Sequence, residues 1–405
     1  MSFSTLGLSP VLLRAVRETG YHAPTPIQAA AIPLILEGRD LLASAQTGSG
    51  KTAAFVLPMA QRLLSTPGSR GRVRALVLSP TRELAVQTGT LLRQLGLPLK
   101  TVVAVGGLSI NPQMMALRGG ADVLVTTPGR LLDLIAQNAL GLDGLEVLVL
   151  DEADRLLDLG FADELQRILA LVPARRQSLF FSATLPPAVE TLASQLLRDP
   201  QRVAIETVPE TAPLITERAI HVDMTQRTPL LRHLLKGEGW ERVLVFVATR
   251  YAAELVSDKL WKSGIRAAAL HGELSQGTRQ KVLTALTSGE VQVLVATDVA
   301  ARGLDLAALQ VVVNYDLPRS PADYTHRIGR TGRAGASGVA VSFIPALAEA
   351  HFRVIEKRQG RRIAREQIEG FAARETVPAN ADTTGNGGIK GKRKSKKDKL
   401  REAAA

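Results

Sequence analysis

Residues 45–52 read AQTGSGKT, a glycine-rich segment whose residue types suit the binding of phosphate groups. The segment follows the apolar run DLLASA and precedes the helical pattern AAFVLPMAQRLL. Gly48 and Gly50 allow the backbone to approach an anion, which successive N–H groups and a helix N-terminus then bind. Lys51 can neutralise β- and γ-phosphates, and Thr52 can ligate Mg²⁺. The usual pattern begins with Gly, and Ala45 stands in that place here. The predicted nucleotide-phosphate site comprises Ala45, Gln46, Thr47, Gly48, Ser49, Gly50, Lys51 and Thr52.

A second group of chemically competent residues, the string DEAD at 151–154, directly follows the apolar run VLVL. Open α/β sheets bind ligands at the carboxyl ends of their strands. Asp151 there can hold Mg²⁺, partly through water, and Glu152 can orient and deprotonate an attacking water. Acidic residues also stabilise a helix N-terminus, which is the structural alternative. Because the chain also carries a phosphate loop, the catalytic interpretation is favoured.

Short Val-, Leu- and Ala-rich runs alternate with helical patterns throughout the chain, six runs in each half. Continuous apolar runs predict strands that are buried on both faces, as in parallel sheets. The helical segments between them complete βαβ units. The sequence therefore predicts an α/β fold with two parallel sheets flanked by helices. The two halves repeat one architecture at low sequence similarity.

The predicted boundaries follow shifts in composition. Residues 1–206 form the first domain, residues 207–213 a polar, Pro-containing linker, and residues 214–345 the second domain. The sheet pattern stops after residue 343, and residues 346–375 are predicted to be a basic helical extension. Residues 376–405 are rich in Asn, Thr and Gly and then in Lys, a composition typical of disorder.

The net charge of +12 is concentrated at the C-terminus. Residues 390–405 hold six Lys and two Arg against Asp398 and Glu402, a net charge of 8 − 2 = +6. A basic balance suits a polyanionic partner, although a tail that only improves solubility has the same composition. Aromatic residues make up 4% of the chain, which argues against a base-stacking platform.

The absence of Cys excludes disulfides and thiolate metal sites. The N-terminus lacks the pattern of a signal peptide, and no apolar run is long enough to span a bilayer. A soluble cytoplasmic protein is the expectation.

These motifs, with others in a fixed order, resemble those of DEAD-box RNA helicases over residues 3–343. The resemblance implies two tandem RecA-like domains, ATP and Mg²⁺ as cofactors, and RNA as partner. The region after the second domain is similar to bacterial members of the RhlE type. The matching segments are GY…PTPIQ at 20–28, AQTGSGKT at 45–52, PTRELA at 80–85, GG at 106–107, TPGR at 127–130, DEAD at 151–154, SAT at 182–184, VFV at 245–247, HG at 271–272, ATD at 296–298, RGLD at 302–305 and HRIGRTGR at 326–333.

The resemblance also implies how the base and ribose are bound. The Gln28 amide can pair bidentately with the adenine edge, donor to acceptor and acceptor to donor. Phe3 or Tyr21 would pack on the base, and Asp305 would bind the ribose. A helix-capping amide is the structural alternative for Gln28.

For catalysis, the resemblance implies that Arg330 and Arg333 act as arginine fingers beside Lys51, Asp151 and Glu152, since a guanidinium fork suits the charge on a transferring phosphate. A Gly- and Arg-rich loop could otherwise be a solvated turn, and Ser182 and Thr184 could be local turn caps. The residues implied to couple the nucleotide state to the domains are Asp154, Ser182, Thr184, His326 and Arg327, and the resemblance suggests hydrogen bonds from Ser182 and Thr184 to Asp154.

RNA is expected at the same edges of the sheets, through contacts to the backbone that carry no sequence information. The preference for RNA over DNA is implied by the family alone. In the first domain the implied contacts are Thr81, Arg82, Gly107, Thr127, Gly129 and Arg130. In the second they are Arg250, Gly272, Gln276, Arg279 and Thr297.

The predicted function is an RNA-dependent ATPase that locally unwinds or remodels RNA by closure of two domains. The expected state is a monomer, with ribosomal or RNA-decay proteins as further partners and the basic tail as an extra RNA anchor. Two rivals are a DNA helicase of the wider superfamily and an RNA-binding scaffold without catalysis. Intact Lys51, Asp151, Glu152, Arg330 and Arg333 argue against the scaffold.

Overall fold

The structure of this chain is a computed structural model, which describes residues 2–46, 48–66, 71–205, 215–301, 309–332 and 337–375. The described residues up to 205 belong to one compact unit, and those from 215 onward belong to a second. The predicted linker at 207–213 and the predicted tail at 376–405 lie outside the described residues. None of the described helices is long and apolar enough to cross a membrane.

The first unit alternates strands and helices, as its apolar runs predict. A short 3-10 helix at Phe3–Thr5 precedes the first α-helix. The strands are β1 (Leu41–Ser44), β2 (Val73–Leu78), β3 (Thr101–Ala104), β4 (Ala121–Thr126), β5 (Val147–Leu150), β6 (Gln177–Ser182) and β7 (Gln201–Ala204). The helices are α1 (Pro10–Glu18), α2 (Pro26–Leu36), α3 (Lys51–Ser65), α4 (Arg82–Gln94), α5 (Ile110–Leu117), α6 (Pro128–Ala136), α7 (Ala153–Asp158), α8 (Ala162–Leu169) and α9 (Pro187–Leu196).

The strands of the first unit form one sheet in the order β3-β4-β2-β5-β6-β1-β7, and every pairing is parallel. Neighbouring residues of one strand lie in different cores. Ala75 and Val77 pack in one apolar cluster, whereas Leu76 and Leu78 pack in the other. This two-sided burial explains the continuous apolar runs, because both faces of the strands are covered by helices.

The second unit has the same alternation. Its strands are β8 (Ile215–His221), β9 (Val243–Val247), β10 (Ala267–Leu270), β11 (Val293–Thr297), β12 (Val311–Asn314), β13 (Gly338–Ile344) and β14 (Arg365–Glu366). Its helices are α10 (Arg227–Gly237), α11 (Arg250–Lys262), α12 (Gln276–Ser288), α13 (Asp298–Ala301), α14 (Pro321–Ile328) and α15 (Glu349–Gln359), with 3-10 turns at Met224–Gln226 and Ala346–Ala348.

Strand order shows that the two units are copies of one topology. The second sheet is β10-β11-β9-β12-β13-β8-β14. Numbering its strands from one gives 3-4-2-5-6-1-7, which is the order of the first sheet. All its pairings are also parallel. The predicted architecture of two parallel sheets flanked by helices is confirmed.

The region after residue 345 differs from the predicted helical extension. Helix α15 ends at Gln359, where Gly360 adopts a left-handed φ of +66°. The chain then returns to the sheet, because β14 pairs with β8 at the outer edge. Arg365 fixes this return by ion pairs to Glu349 and Glu356 on α15, at 3.0 and 2.8 Å. Its guanidinium also stacks on the ring of Phe352. The sheet therefore continues beyond residue 343.

Candidate functional site

The phosphate-loop residues lie between β1 and α3, at the carboxyl edge of the first sheet. Gly48 and Gly50 have φ values of +85° and +93°, a conformation that favours glycine. A Cβ at Gly50 would lie 2.5 Å from the Gln28 Nε2 atom, so the loop also has no space for a larger residue. Helix α3 begins at Lys51, which directs its N-terminus toward the loop. Ala45 is buried, Gln46, Ser49 and Thr52 lie around this turn, and Thr47 lies outside the described residues.

Lys51 is buried beside three carboxylates. Its Nζ atom donates to the Ala45 carbonyl at 2.5 Å. Burial lowers the pKa of Lys51, and the negative charges of Glu152, Asp151 and Asp154 oppose that shift. A buried ammonium among carboxylates is a strong electrostatic site, because charges interact more strongly in the low-dielectric interior than in water. This position and charge suit the binding of a nucleotide phosphate.

Asp151 directly follows β5, and it is 2% exposed. Burial and the adjacent Glu152 raise the pKa of Asp151 to about 7, and Lys51 opposes the rise. Its Oδ2 atom has no hydrogen-bond partner among the described residues. A buried carboxylate oxygen without a hydrogen-bond partner is the kind of ligand that Mg²⁺ prefers, and the hydroxyl of Thr52, at the start of α3, is a second oxygen of that kind. The residues present therefore fit a magnesium ion.

Glu152 adopts a left-handed backbone with φ of +47° and ψ of 56° at the start of α7. This conformation is uncommon for a residue with a side chain, and such strain concentrates at functional sites. Glu152 is also buried, at 8% exposure. The structure thus places the Glu152 carboxylate, on a strained backbone, next to Asp151, where its negative charge interacts with Lys51.

Asp154 connects α7 to the loop after β6. Its Oδ2 atom accepts hydrogen bonds from the Thr184 hydroxyl at 2.9 Å and the Thr184 N–H at 3.0 Å. The Asp154 N–H donates to the Ser182 hydroxyl at 3.3 Å, and that hydroxyl donates to the Thr184 carbonyl. The predicted contact between these residues is present, and Ser182 also makes the local turn bond that was its alternative.

Gln28 makes both a capping contact and a contact to the phosphate loop. Its Oε1 atom accepts from the Thr25 N–H at 3.0 Å, as in a capping box for α2. Its Nε2 atom donates to the Gly50 carbonyl at 3.1 Å. An amide has two N–H groups and two oxygen lone pairs, so each end retains one position for another partner. The rings of Phe3 and Tyr21 lie edge-on to each other, with centroids 6.3 Å apart.

The predicted RNA contacts of the first unit follow the three neighbouring strands β3, β4 and β2. The Thr81 hydroxyl caps α4 by accepting from the Leu84 N–H. The Arg82 guanidinium lies over Gly107, where a Cβ would be 2.0 Å from its Nη1 atom. Arg130 is buried and donates to the Leu108 carbonyl, but its Nη1 atom has no hydrogen-bond partner among the described residues. Thr127 and Gly129 begin α6, and Gly129 has open space where a Cβ would be.

Strand order therefore separates the carboxyl edge of the first sheet into two halves. The nucleotide residues follow β5, β6 and β1, and the predicted RNA residues follow β3, β4 and β2. Because all strands are parallel, both groups lie at one edge of one rigid sheet. The two halves meet at β2 and β5, which are hydrogen-bonded neighbours.

The second unit brings its predicted RNA contacts to the equivalent strands β10, β11 and β9. Arg250 follows β9 and forms an ion pair with Glu273. Arg279 is buried and donates to the carbonyls of His271 and Ala300. The Gln276 Oε1 atom has no hydrogen-bond partner among the described residues. Gly272 is exposed after β10, and Thr297 is the last residue of β11.

Arg327 is held within the second unit. Its guanidinium donates to both carboxylate oxygens of Asp298, at 2.6 and 2.7 Å, and to Asn314 at 3.1 Å. It also lies over the Phe246 ring. This geometry gives Arg327 a positioning role for α14, and its coupling role stays a prediction. The sequence does not indicate Asp298 or Asn314 as site residues. Asp298 directly follows an apolar run and Asn314 ends one, which are positions where functional side chains are common.

Arg330 lies two residues beyond the end of α14 and is 7% exposed. Its N–H donates to the Arg327 carbonyl, so the well-anchored Arg327 also fixes the backbone of Arg330. His326 is half-buried on the last turn of α14. Arg333 and Asp305 lie outside the described residues.

Comparison with known proteins gives matches over most of the chain. Residues 25–192 match the DEAD/DEAH box helicase family, and residues 226–335 match the helicase conserved C-terminal domain. DEAD-box ATP-dependent RNA helicase 28 of Arabidopsis thaliana is 43% identical over 368 residues, which cover 89% of this chain and 47% of that protein. ATP-dependent RNA helicase CshA of Listeria monocytogenes is 40% identical over 363 residues, which cover 89% of this chain and 69% of that protein. The chain thus spans about half the length of the plant relative.

Solved structures share the fold. S. cerevisiae Dbp5 bound to RNA and ADP BeF3 superposes with a TM-score of 0.79 at 32% identity, over 91% of this chain and 95% of that chain. Mss116p bound to ssRNA and AMP-PNP has a TM-score of 0.79 at 28% identity, over 90% of this chain and 78% of that one.

The sheets, the nucleotide-phosphate loop and these matches define a helicase with two RecA-like domains in tandem. More narrowly, the chain belongs to the family of DEAD-box ATP-dependent RNA helicases.

Proposed function

We propose that this chain is an RNA-dependent ATPase that locally unwinds or remodels RNA duplexes and RNA–protein complexes. The observation that supports the proposal is the strand order of the first sheet, which groups the predicted nucleotide residues at one half of its carboxyl edge and the predicted RNA contacts at the other. The relatives named as ATP-dependent RNA helicases support it.

The residues of the nucleotide half have distinct roles in the proposed reaction. Lys51 binds the terminal phosphates, and Gln28 reads the adenine edge, with Phe3 or Tyr21 against the base. Glu152 accepts a proton from the attacking water. Mg²⁺, when bound by Asp151 and the Thr52 hydroxyl, would neutralise charge that develops on the phosphates.

Arg330 and Arg333 complete the proposed site from the second domain, and Asp305 binds the ribose. Guanidinium groups add positive charge where the transferring phosphate becomes more negative. Because these groups are on a different domain from Lys51, hydrolysis requires the domains to close. Asp154, Ser182, Thr184, His326 and Arg327 transmit the nucleotide state in this scheme.

Closure also explains local strand separation. RNA bound along Thr81, Arg82, Gly107 and the equivalent edge of the second domain would bend on closure, and a duplex could not follow. Stacking is worth about 1.4 kcal/mol per DNA base-pair step, so one binding event would open only a few pairs. We therefore expect local opening rather than long translocation.

The deciding experiment measures ATP turnover of the purified chain without nucleic acid, with single-stranded RNA and with DNA of the same sequence. We expect turnover to depend on RNA, with DNA far less effective because it lacks the 2′-hydroxyl. Equal turnover with and without RNA would contradict the closure scheme. Equal stimulation by DNA would instead favour the DNA-helicase rival.

We infer an RhlE-type bacterial helicase that acts in the cytoplasm as a monomer, with ribosomal or RNA-decay proteins as partners. The basic residues at 390–405 serve as an extra RNA anchor. Crosslinking the chain to RNA in cells and sequencing the bound RNA would test the pathway. RNA that maps to neither ribosomal precursors nor decay intermediates would contradict it.

A further inference from the structure

The exposed aromatic side chains of the described residues are concentrated on one helix. Among large hydrophobic side chains with high exposure, only Tyr251 and Trp261 are aromatic, with exposures of 70% and 62%. Both lie on α11 in the second unit. Leu255, between them in sequence, is 37% exposed. With 4% aromatic residues in the chain, two unburied rings on one helix are a strong local enrichment.

At 3.6 residues per turn, Trp261 lies about 80° around the axis of α11 from Tyr251, and Leu255 lies about 40° to the other side, so the three share one broad face that also carries Glu254 and Asp258. Residues 251 and 255 are four apart and therefore neighbours on the helix surface. Ten residues at about 1.5 Å each separate Tyr251 from Trp261 by about 15 Å along the axis. The helix starts at Arg250, directly after β9, so Tyr251 adjoins a predicted RNA contact at the carboxyl edge. Trp261 lies one helix length away from that edge.

The surrounding segment is basic. Residues 227–266, which include α10, β9 and α11, hold eight Lys and Arg against four Asp and Glu, a net charge of 8 − 4 = +4. This is a third of the net charge of +12 in a tenth of the chain. Helix α10 packs beside α11, so the charges of these two helices, six Lys and Arg against Glu254 and Asp258, share one side of the sheet. A polyanion is the partner that such a charge favours.

We propose that this face of α11, the α11 face (Tyr251, Leu255 and Trp261), stacks bases of single-stranded RNA that extends beyond the RNA held at the carboxyl edge. This proposal rests on the proposed function. Every base has a π-face, so aromatic rings hold single strands without sequence preference. Tyr and Trp lose little conformational entropy on binding, which suits them to this role. The contact would extend the hold on RNA from the edge of the sheet along the helix.

The test compares the affinity of the full chain for a short RNA of about 8 nucleotides with that for a long RNA of about 25. Only the long RNA would reach the α11 face in addition to the edge. We expect Tyr251→Ala and Trp261→Ala each to lower the ratio of long to short affinity by at least about five-fold, the lower end for one stacked base. The salt dependence of binding should stay the same, because stacking releases no counterions.

Three further variants distinguish base stacking from a purely apolar contact. Trp261→Phe, which keeps a ring, should keep most of the ratio, whereas Trp261→Leu, which keeps only apolar area, should lose it. Leu347→Ala, at an exposed apolar residue near α15, should leave the ratio unchanged. Full retention in Trp261→Leu would overturn the proposal in favour of an apolar protein-docking surface.

Fluorescence gives a direct readout of the stacking. The chain has two tryptophans, and Trp240 is 8% exposed. The difference between the wild type and Trp261→Phe therefore isolates the exposed ring, which long RNA should quench and short RNA should not. Quenching by neither RNA, with an unchanged affinity ratio in the alanine variants, would reject the α11 face. ATP turnover with the short RNA reports on the proposed function separately: its absence in the wild type would reject that function alone.

Discussion

At the scale of single residues, the nucleotide site is a set of buried charged groups beside the phosphate loop. Lys51 has a lowered pKa and Asp151 a raised one, and burial is the main cause of both shifts. Bound phosphate and a cation would favour the charged form of each group. Glu152 adds backbone strain beside them. Such a site is organised for a charged ligand before the ligand arrives.

Glu152→Gln tests the role of the Glu152 carboxylate as a proton acceptor. The amide has nearly the same shape but cannot accept a proton, so we expect RNA-stimulated ATP turnover to fall by about 10²–10⁴-fold. ATP and RNA binding should persist, as measured by equilibrium titration. The exposed Glu37→Gln in the same unit is the matched control and should behave as the wild type. Normal turnover in Glu152→Gln would remove this residue from the mechanism.

Gly50→Ala tests the close approach at the phosphate loop. A Cβ would meet the Gln28 amide at 2.5 Å, and φ of +93° is unfavourable for alanine by about 1–2 kcal/mol. We expect weaker ATP binding and a melting temperature lower by several degrees. Gly237→Ala, where the Cβ has open space and φ is not positive, is the control, and it should leave ATP binding unchanged without lowering the melting temperature.

A double variant separates the two causes. Gln28→Ala with Gly50→Ala removes the closest contact but leaves the Thr25 hydroxyl oxygen at 2.9 Å and the backbone strain. Because Gln28→Ala alone also removes two hydrogen bonds, the loss of stability caused by Gly50→Ala is compared with and without Gln28, and it should be smaller in the Gln28→Ala background. An equal loss in both backgrounds would mean that the Gln28 amide yields without cost.

The sequence predicts residues that lie in motifs better than residues that support them. The bonds between Thr184 and Asp154 were expected from the family resemblance and are present. The contacts of Arg327 with Asp298 and Asn314 were not expected, because they join three elements that are distant in sequence, α14, α13 and β12. Only the fold brings such partners together, so spacing in the sequence carries little signal of them.

At the scale of elements, the predicted strands are those that are buried on both faces. The missed strands are β7 and β14, which occupy the same outer position in the two sheets. In β7 only Val203 is fully buried, and β14 is two residues long and polar. An edge strand packs on fewer neighbours, so its sequence lacks a continuous apolar run. The position of β14 is set by the ion pairs of its own Arg365 with Glu349 and Glu356 on α15 rather than by hydrophobicity.

The ion-pair network around β14 should make the stability of the second domain depend on pH. Burial would raise the pKa of Glu349, but hydrogen bonds from Arg365, Arg353 and His221 prevail and lower it to about 2. A carboxylate with a lowered pKa stabilises the fold above its ordinary pKa of 4.5, and this contribution is lost as the pH falls toward 2. Glu349→Gln should therefore reduce stability at pH 7, by ~1–2 kcal/mol after solvent screening.

Urea unfolding followed by tryptophan fluorescence would measure this effect, because Trp240 and Trp261 both lie in the second unit. The difference between wild type and Glu349→Gln should shrink as the pH is lowered from 4.5. The exposed Glu369→Gln is the control and should show no difference. A difference that stays constant down to low pH would show that packing, not charge, holds β14.

At the scale of the whole molecule, one topology is used twice with different chemistry. Both sheets have the order 3-4-2-5-6-1-7, and in both the predicted RNA contacts follow the strands at positions 3, 4 and 2. The first unit adds a phosphate loop after β1. At the equivalent point after β8, the Asp223 carboxylate instead accepts the N–H groups of Arg374 and Glu375. Arg374 and Glu375, the last described residues, are therefore held beside the carboxyl edge of the second sheet.

The position of Glu375 beside the carboxyl edge leads to a prediction for the basic residues at 390–405. Deleting them removes eight cations and two anions, so RNA binding should weaken. The plot of log affinity against log salt should also become flatter, by about 0.7 for each phosphate of a single strand that these cations no longer neutralise. The measurement is RNA binding by fluorescence anisotropy over a range of salt concentrations.

Deletion of residues 376–389 is the matched control, because this segment has a similar length and carries Asp382 as its single charge. It would shorten the connection from Glu375 to the cations without removing any of them. The salt slope should then equal that of the wild type, while affinity changes little or rises because a shorter connection raises the effective concentration of the tail near bound RNA. If deletion of 390–405 left the slope unchanged, the cations would not touch RNA, and they would serve solubility instead.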